Sequence, residues 1–377
     1  MRFKVNTKDL RTGLNRIRGI VPAHTTIESL YSVKMAAKGK RLVLTASNFV
    51  VTASVAVSAY APESGVTLLP ANLLASFIGK IREPQISFDV DADNRARLRY
   101  GEKNCIQISG MGSDSFPNHP GFNDPVMIRI PADRFLSLLH TIIYAVSDEN
   151  KTPDGRAALT GVSMKFHQNH VEAAAIDGHR GSVARADCRI KDDKAIDIVV
   201  AQKAAKTLLN FLENNDDEIV IRASKQFFCV KQGDALLTAR NLDQPFVDYG
   251  KIVAPAQPSQ ATVRCSKSDL VEALERADLI AKQQKNNVIR IEANDGKLSI
   301  FSSIKNEDGE DAAGSESIEA RCSGVPQRLF LNAEFLKDAV KSQDGDELSL
   351  EMSGREGVIY VNSETGRGFL MPVRVAD

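Results

Sequence analysis

The sequence predicts an α+β protein built as three tandem domains. Three observations lead there. An amphipathic helix pair is written three times, strand-like runs surround each pair, and two stretches dense in Pro, Gly, Asn and Asp part the repeats.

The first helix of each pair carries the same apolar stripe. Leu10, Leu14, Ile17 and Val21 stand at i, i+4, i+7 and i+11, as do Phe135, Leu139, Ile142 and Val146, and again Leu270, Leu274, Ala277 and Ala281. An acidic residue precedes each stripe (Asp9, Asp133, Asp269), where it suits the positive end of a helix dipole. The second helix places Leu74, Phe77, Ile78 and Ile81 on one face, then Ala205, Leu208, Leu209 and Leu212, then Leu336, Ala339 and Val340. These second helices begin near Ala71, Ala201 and Asn332, separated by 130 and 131 residues by subtraction. A period that long means domains rather than a solenoid of short repeats.

In the first repeat, RFKV reads as a strand ahead of the helix. Short strands are predicted at 32–35, 41–46 and 50–57, and the second helix follows Pro70. Strands at 86–90, 96–100 and 105–109 complete the order β-α-β-β-β-α-β-β-β, with too few helices for a parallel wound sheet. The run SDSFPNHPGFNDP (113–125) reads as one linker and 244–258 as another. The domains are therefore expected at 1–125, 126–253 and 254–377, with VMIRI opening the second as a strand. The acidic segment NEDGEDAAGSES (306–317) reads as a mobile loop.

Composition fits a globular protein, with 43% hydrophobic and 25% charged residues among 377. No apolar run is long enough for a membrane helix, and the N-terminus has no secretion-signal core, which predicts a cytoplasmic protein. The five scattered cysteines read as reduced, mostly buried thiols. Lys and Arg number 48, as do Asp and Glu, so bulk charge cannot coat nucleic acid, although charges segregated on different faces still could.

No phosphate loop, dinucleotide fingerprint or zinc motif is present, so no cofactor is expected. His167 and His170 read as a solvated turn rather than a metal pair. In AAAIDGHR the Asp-Gly pair after an apolar run signals a turn. Asp177, His179 and Arg180 could also form an acid-base set of an enzyme, but no second catalytic group lies near in sequence. The ending GFLMPVRVAD is apolar and fits either core packing or the wall of a groove. Off the apolar stripes the helices carry bases: Arg11, Arg16 and Arg18, Lys80 and Arg82, Arg134, Lys203 and Lys206, Lys267, Arg276 and Lys282, Lys337 and Lys341. Together they suggest a concave basic surface that tracks phosphates without reading bases, interrupted by Glu213, Asp278 and Asp338.

AAIDGHR (174–180), DSFPN (114–118), PFVDYGKIVAP (245–255) and FLMPVR (369–374) give the chain a resemblance, along its whole length, to the bacterial sliding-clamp family, the β subunit of DNA polymerase III. The resemblance implies a non-enzymatic processivity factor, a head-to-tail homodimer whose three domains per chain close a ring around duplex DNA. Helices would line the hole and sheets the outside. His24, Lys80, Arg82, Arg134, Lys203, Lys206, Arg276, Lys282, Lys337 and Lys341 would face DNA, and Ile106 and Ile108 would meet Leu279 and Ile280 of the second copy. It also implies a groove where the replicative polymerase, the clamp loader, and repair and translesion polymerases dock through short linear motifs. Its positions would be Leu159, Ile176, Gly178, His179, Arg180, Gly181, Phe246, Val247, Ile252, Leu370, Met371, Pro372, Val373 and Arg374.

The chain departs from that family where Gly181 replaces an apolar residue, which would enlarge or soften the pocket, and at Val247, Gly250 and Lys251. Ala157 and Ala158 stand where relatives carry aromatics that touch DNA, His24 stands where arginine is common, one extra residue precedes Pro255, and Ala376 and Asp377 extend the tail. A clamp-fold scaffold that no longer encircles DNA is the other reading that the resemblance leaves open.

Overall fold

The computed structural model describes residues 1–150, 152, 156–191, 194–253, 258–284, 286–294, 296–305 and 311–374. Its helices are α1 (Thr7–Arg18), α2 (Ala71–Lys80), α3 (Ala132–Ile142), α4 (Gln202–Phe211), the single turn α5 (Gly250–Val253), α6 (Lys267–Ala281) and α7 (Ala333–Ser342). Both members of each predicted pair form. Local chemistry starts them: the side chains of Asn6, Ser266 and Asn332 accept backbone N–H groups that open α1, α6 and α7, and Asp9 and Asp269 lie in first turns. Four of the predicted stripes run past their helices. Val21, Ile81 and Leu212 follow the ends of α1, α2 and α4, and Val146 follows a 3-10 turn (Ile143–Ala145) that closes α3.

The three short strands expected at 32–35, 41–46 and 50–57 are two long ones, Ser32–Ser47 and Val51–Pro70, paired as one hairpin. Lys38 to Arg41 is exposed, so the alternation of apolar residues vanishes there while the backbone ladder continues across a register slip at Gly39. The acidic loop is also corrected. Asp311–Glu319 is a strand paired with Lys297–Lys305, since a ladder needs backbone groups rather than apolar side chains. Residues 306–310 of that stretch, Pro255, and Ala376 and Asp377 of the tail lie outside the described residues.

Antiparallel pairing gathers the strands into sheets of eleven, nine and four strands among the described residues. In the largest, Val51–Pro70 of the first repeat pairs with Ala235–Arg240 of the second, from Ala235↔Val55 to Ala239↔Val51, and Asn104–Ser109 is a terminal strand. In the nine-stranded sheet, Arg180–Asp187 of the second repeat pairs with Gly366–Leu370 of the third. The four-stranded sheet ends on Asp311–Glu319.

The chain forms two compact units: Met1–Asp133, Arg189–Ile196 and Lys206–Asn241 in one, Arg134–Cys188, Asp197–Ala205 and Leu242–Asp377 in the other. Three bases of the first helices tie helix ends together inside these units. Arg11 donates to the carbonyls of Ile78 (3.3 Å) and Ile81 (2.6 Å) at the end of α2, and Arg16 donates to Phe211 O (2.8 Å) at the end of α4. Lys267 donates to Gln343 O just past α7. Each cation meets the carbonyls that a helix terminus leaves without partners. Cys188, Cys229 and Cys265 are buried, and burial pushes the thiols of Cys188 and Cys265 up to about 11.

Candidate functional site

The second unit holds a cavity of about 820 Å³ beside the turn at Asp177–Arg180. Ile176, Gly178, His179, Arg180, Ile252, Phe369 and Met371 line it together with Gln260, Ser353 to Val358 and Tyr360. The turn is built by its own aspartate. Asp177 Oδ1 accepts the N–H groups of His179 (2.9 Å) and Arg180 (3.0 Å), and Gly178 takes φ +96°, which a side chain would resist. The tail is fastened to this turn, with Met371 N–H donating to His179 O at 2.9 Å.

Arg180 is committed on every side. Its Nε meets Asp177 Oδ2 at 3.0 Å and its Nη1 meets Asp338 Oδ2 at 2.8 Å, while its guanidinium lies 4.3 Å from the Phe335 ring centre and 5.4 Å from that of Tyr144. A cation so neutralised orients the turn, and it leaves no net positive field for an anion. Tyr144 donates its hydroxyl to Gly181 O at 3.2 Å, and burial pushes that hydroxyl well above its ordinary value. An acid-base site is not assembled here. The Asp177 carboxylate is filled by two N–H groups and Arg180, and no group of three metal-binding side chains occurs among the described residues.

Below the cavity lies an apolar cluster of Leu159, Ala174, Ile176, Tyr249, Tyr360 and Phe369, against which Phe246 and Val253 pack. Tyr360 ties it to the single turn α5 by donating to Ile252 O at 3.1 Å. Tyr249 donates to Glu172 at 2.5 Å, and burial followed by that carboxylate raises its pKa.

The candidate groove positions therefore divide. Ile176, Gly178, His179, Arg180, Ile252 and Met371 line the cavity; Leu159 and Phe246 support it from behind. Val247 is exposed and Pro372 half-buried, neither lining it, whereas Leu370 is fully buried in the core of the third repeat. Val373 and Arg374 border a different cleft, with Arg290, Phe301 and Phe330. Gly181 does not enlarge the pocket, because the Phe369 ring lies where its side chain would be. Sequence reading missed Gln260, Tyr360 and the loop Ser353 to Val358. SGREG in that loop is a turn signal, but nothing local says what the turn faces.

The candidate DNA-facing bases divide as well. His24, Lys80, Arg82, Arg134, Lys203 and Lys206 are exposed. Those of the third repeat all meet carboxylates: Arg276 meets Glu316 (2.8 Å) and Glu272 (3.6 Å), Lys282 meets Asp278 (2.9 Å), Lys341 meets Glu275 (2.5 Å), and the largely buried Lys337 meets Asp278. Of the candidate interface residues, Leu279 is 70% exposed and Ile106 half-exposed, whereas Ile108 is buried. Ile280 is half-buried, and its side chain lies against Gly314 of the strand Asp311–Glu319.

Three family models match in order along the chain. They are the N-terminal domain of the DNA polymerase III beta subunit at residues 1–120, its central domain at 129–248, and its C-terminal domain at 252–369. The beta sliding clamps of Bacillus subtilis and Synechococcus elongatus are each 24% identical, covering 99% and 96% of this chain and 100% and 95% of their own lengths. The crystal structure of the Bacillus subtilis clamp superposes with a TM-score of 0.89 at 23% identity, each chain fully covered. A Pseudomonas aeruginosa clamp whose structure holds griselimycin gives 0.88 at 21%, again over both whole chains. With an α+β repeat written three times and each repeat matched to its own domain in order, the chain belongs to the DNA polymerase III beta subunit family, the non-catalytic sliding clamps of DNA replication.

Proposed function

We propose that this chain acts as a ring-shaped processivity factor: two copies, head to tail, encircle duplex DNA, and the cavity beside Asp177–Arg180 is the port where replication and repair proteins dock. The observation that carries the docking half is the meeting of two stretches nearly 200 residues apart, the DGHR turn and the apolar tail, on one cavity with apolar walls and a polar rim. Such a surface suits an extended peptide with an apolar anchor and a few hydrogen-bonding handles. Replicative polymerase, clamp loader and translesion polymerases would share it.

For the ring, the terminal strands Asn104–Ser109 and Asp311–Glu319 each offer backbone groups free to pair. Joining one to the other on a second copy would cover Ile106 and Leu279 and remove both edges, and head-to-tail contact closes when the rotation allows it. Domains bounded at 125/126 and 253/254 place one helix pair in each of six segments around such a ring. DNA contact then rests on Lys80, Arg82, Lys206 and His24 more than on the third repeat, whose bases already hold carboxylates. Weak phosphate contacts suffice because linkage is topological. No helix among the described residues is long and apolar enough to cross a membrane. Work on DNA would put the protein at the nucleoid in the cytoplasm.

The test is retention on DNA. Loaded by its clamp loader onto nicked circular DNA, the protein is expected to stay through a high-salt wash and to leave once the circle is cut. Loss at high salt from intact circles would favour ordinary electrostatic binding, and no retention on either form would favour a clamp-fold scaffold.

A further inference from the structure

Gly181 and Phe369 face each other directly across the ladder between Arg180–Asp187 and Gly366–Leu370. A Cβ built on Gly181 would stand 2.2 Å from Phe369 Cζ and within 2.8 Å of both ring Cε atoms. No side chain fits at 181 while the ring is in place, and the ring tip occupies the space that a side chain at 181 would fill. Phe369 is 3% exposed, lines the cavity, and packs with Tyr360 and Ile176 in the cluster beneath it. The exchange is therefore one of strand of origin: the apolar bulk at this end of the cavity comes from the tail strand rather than from the residue after the DGHR turn.

We propose that Gly181 and Phe369 form an interlocked pair that sets the depth of the docking cavity and selects peptides with an aliphatic anchor of leucine size over those with an aromatic anchor. This rests on the docking reading above and names the ligand class for it. The ring fills the space beside Gly181 and shares one buried cluster with Tyr360 and Ile176, which leaves it little room to move. An aliphatic side chain can lie on such a surface, whereas an aromatic anchor needs the depth that Phe369 already takes. Specificity then comes from filled space as much as from attraction.

The experiment uses the full-length chain and two fluorescent peptides that carry no other aromatic residue, one with a Leu anchor and one with Phe in its place, read by anisotropy. Four proteins are compared: wild type, Phe369→Val, Gly181→Leu and the double exchange. Wild type is expected to prefer the Leu anchor by about tenfold, within the range one well-fitted apolar group commands. Phe369→Val should reduce that preference to about threefold or less by admitting the aromatic anchor, a change in ratio that general destabilisation does not produce. Gly181→Leu should lose both peptides, and Phe369→Val added to it should restore the Leu peptide to within about threefold of wild type. Gly181→Leu binding like wild type, an unchanged ratio in Phe369→Val, or a double variant no better than Gly181→Leu would each overturn the interlock while leaving the docking port standing. Binding of neither peptide by wild type would overturn the docking reading and the interlock with it.

Discussion

Arg11, Arg16 and Lys267 show what single residues do here that a sequence cannot announce. Each is a base off an apolar stripe, and in sequence each reads like the bases meant for phosphates. In the fold each is spent on the open carbonyls at the end of a partner helix. The distinction is geometric: a cation at the edge of a helix contact can reach a neighbouring terminus, one on the far face cannot, and the spacing of apolar residues does not tell them apart. His119 is a second hidden residue. It lies in the Pro-rich stretch read as a linker, yet its Nε2 is 2.5 Å from Ser54 Oγ and its Nδ1 is 3.1 Å from Thr238 Oγ1, across the ladder that joins the first two repeats. Burial, then the charge of Lys34, lowers its pKa from the ordinary 6.5. The unfolded chain therefore takes up the proton first, so the stability held by the neutral ring is complete above 6.5 and is lost as pH falls through the lowered value. Urea denaturation from about pH 7.5 to about pH 5.5 should show wild-type stability falling by up to about 1.4 kcal/mol per unit, with His119→Gln flattening that slope.

At the scale of elements, the helices were legible and the long strands were not. Period, cap and acidic first turn agree at α1, α6 and α7, so local chemistry alone places them. The hairpin Ser32–Pro70 and the strand Asp311–Glu319 were hidden because their exposed parts carry no alternation to read. The cavity beside Asp177–Arg180 was half legible for a related reason. The DGHR turn and the tail stand out by composition, but Tyr360, Gln260 and the loop after Met352 reach the cavity only through sheet pairing. The tail strand performs two tasks on successive residues: Phe369 and Leu370 are buried, and Met371 is 48% exposed at the cavity. Removing 371–377 should therefore abolish peptide binding by anisotropy while leaving the oligomeric state in sedimentation unchanged. A monomeric truncation product would make the tail part of the assembly and remove it from the port.

For the whole molecule, the threefold repeat was readable because each copy must bury its own helix pair. The pairing between copies was not, since register across 180 residues leaves no local mark. Among the described residues Leu279 is the most exposed large hydrophobic side chain, at 70%. Changing it to Glu should convert a dimer to monomers in sedimentation and abolish retention on circular DNA, while the folded signal in circular dichroism stays as it was. Persistence of the dimer would move the seam elsewhere.

The ladder from Ala235↔Val55 to Ala239↔Val51 and its counterpart from Arg180↔Leu370 to Ala184↔Gly366 have a mechanical consequence. If two copies close into the proposed ring, the ring under load would part at its weakest joint. Both joints within a chain are stitched by consecutive backbone pairs and are also spanned by continuous polypeptide, so they would yield last. Any seam between two copies has the stitching without the tether. In the proposed ring of two copies, a machine that opens it would need to push at only one of the two equivalent seams, since covalent continuity spans every other joint.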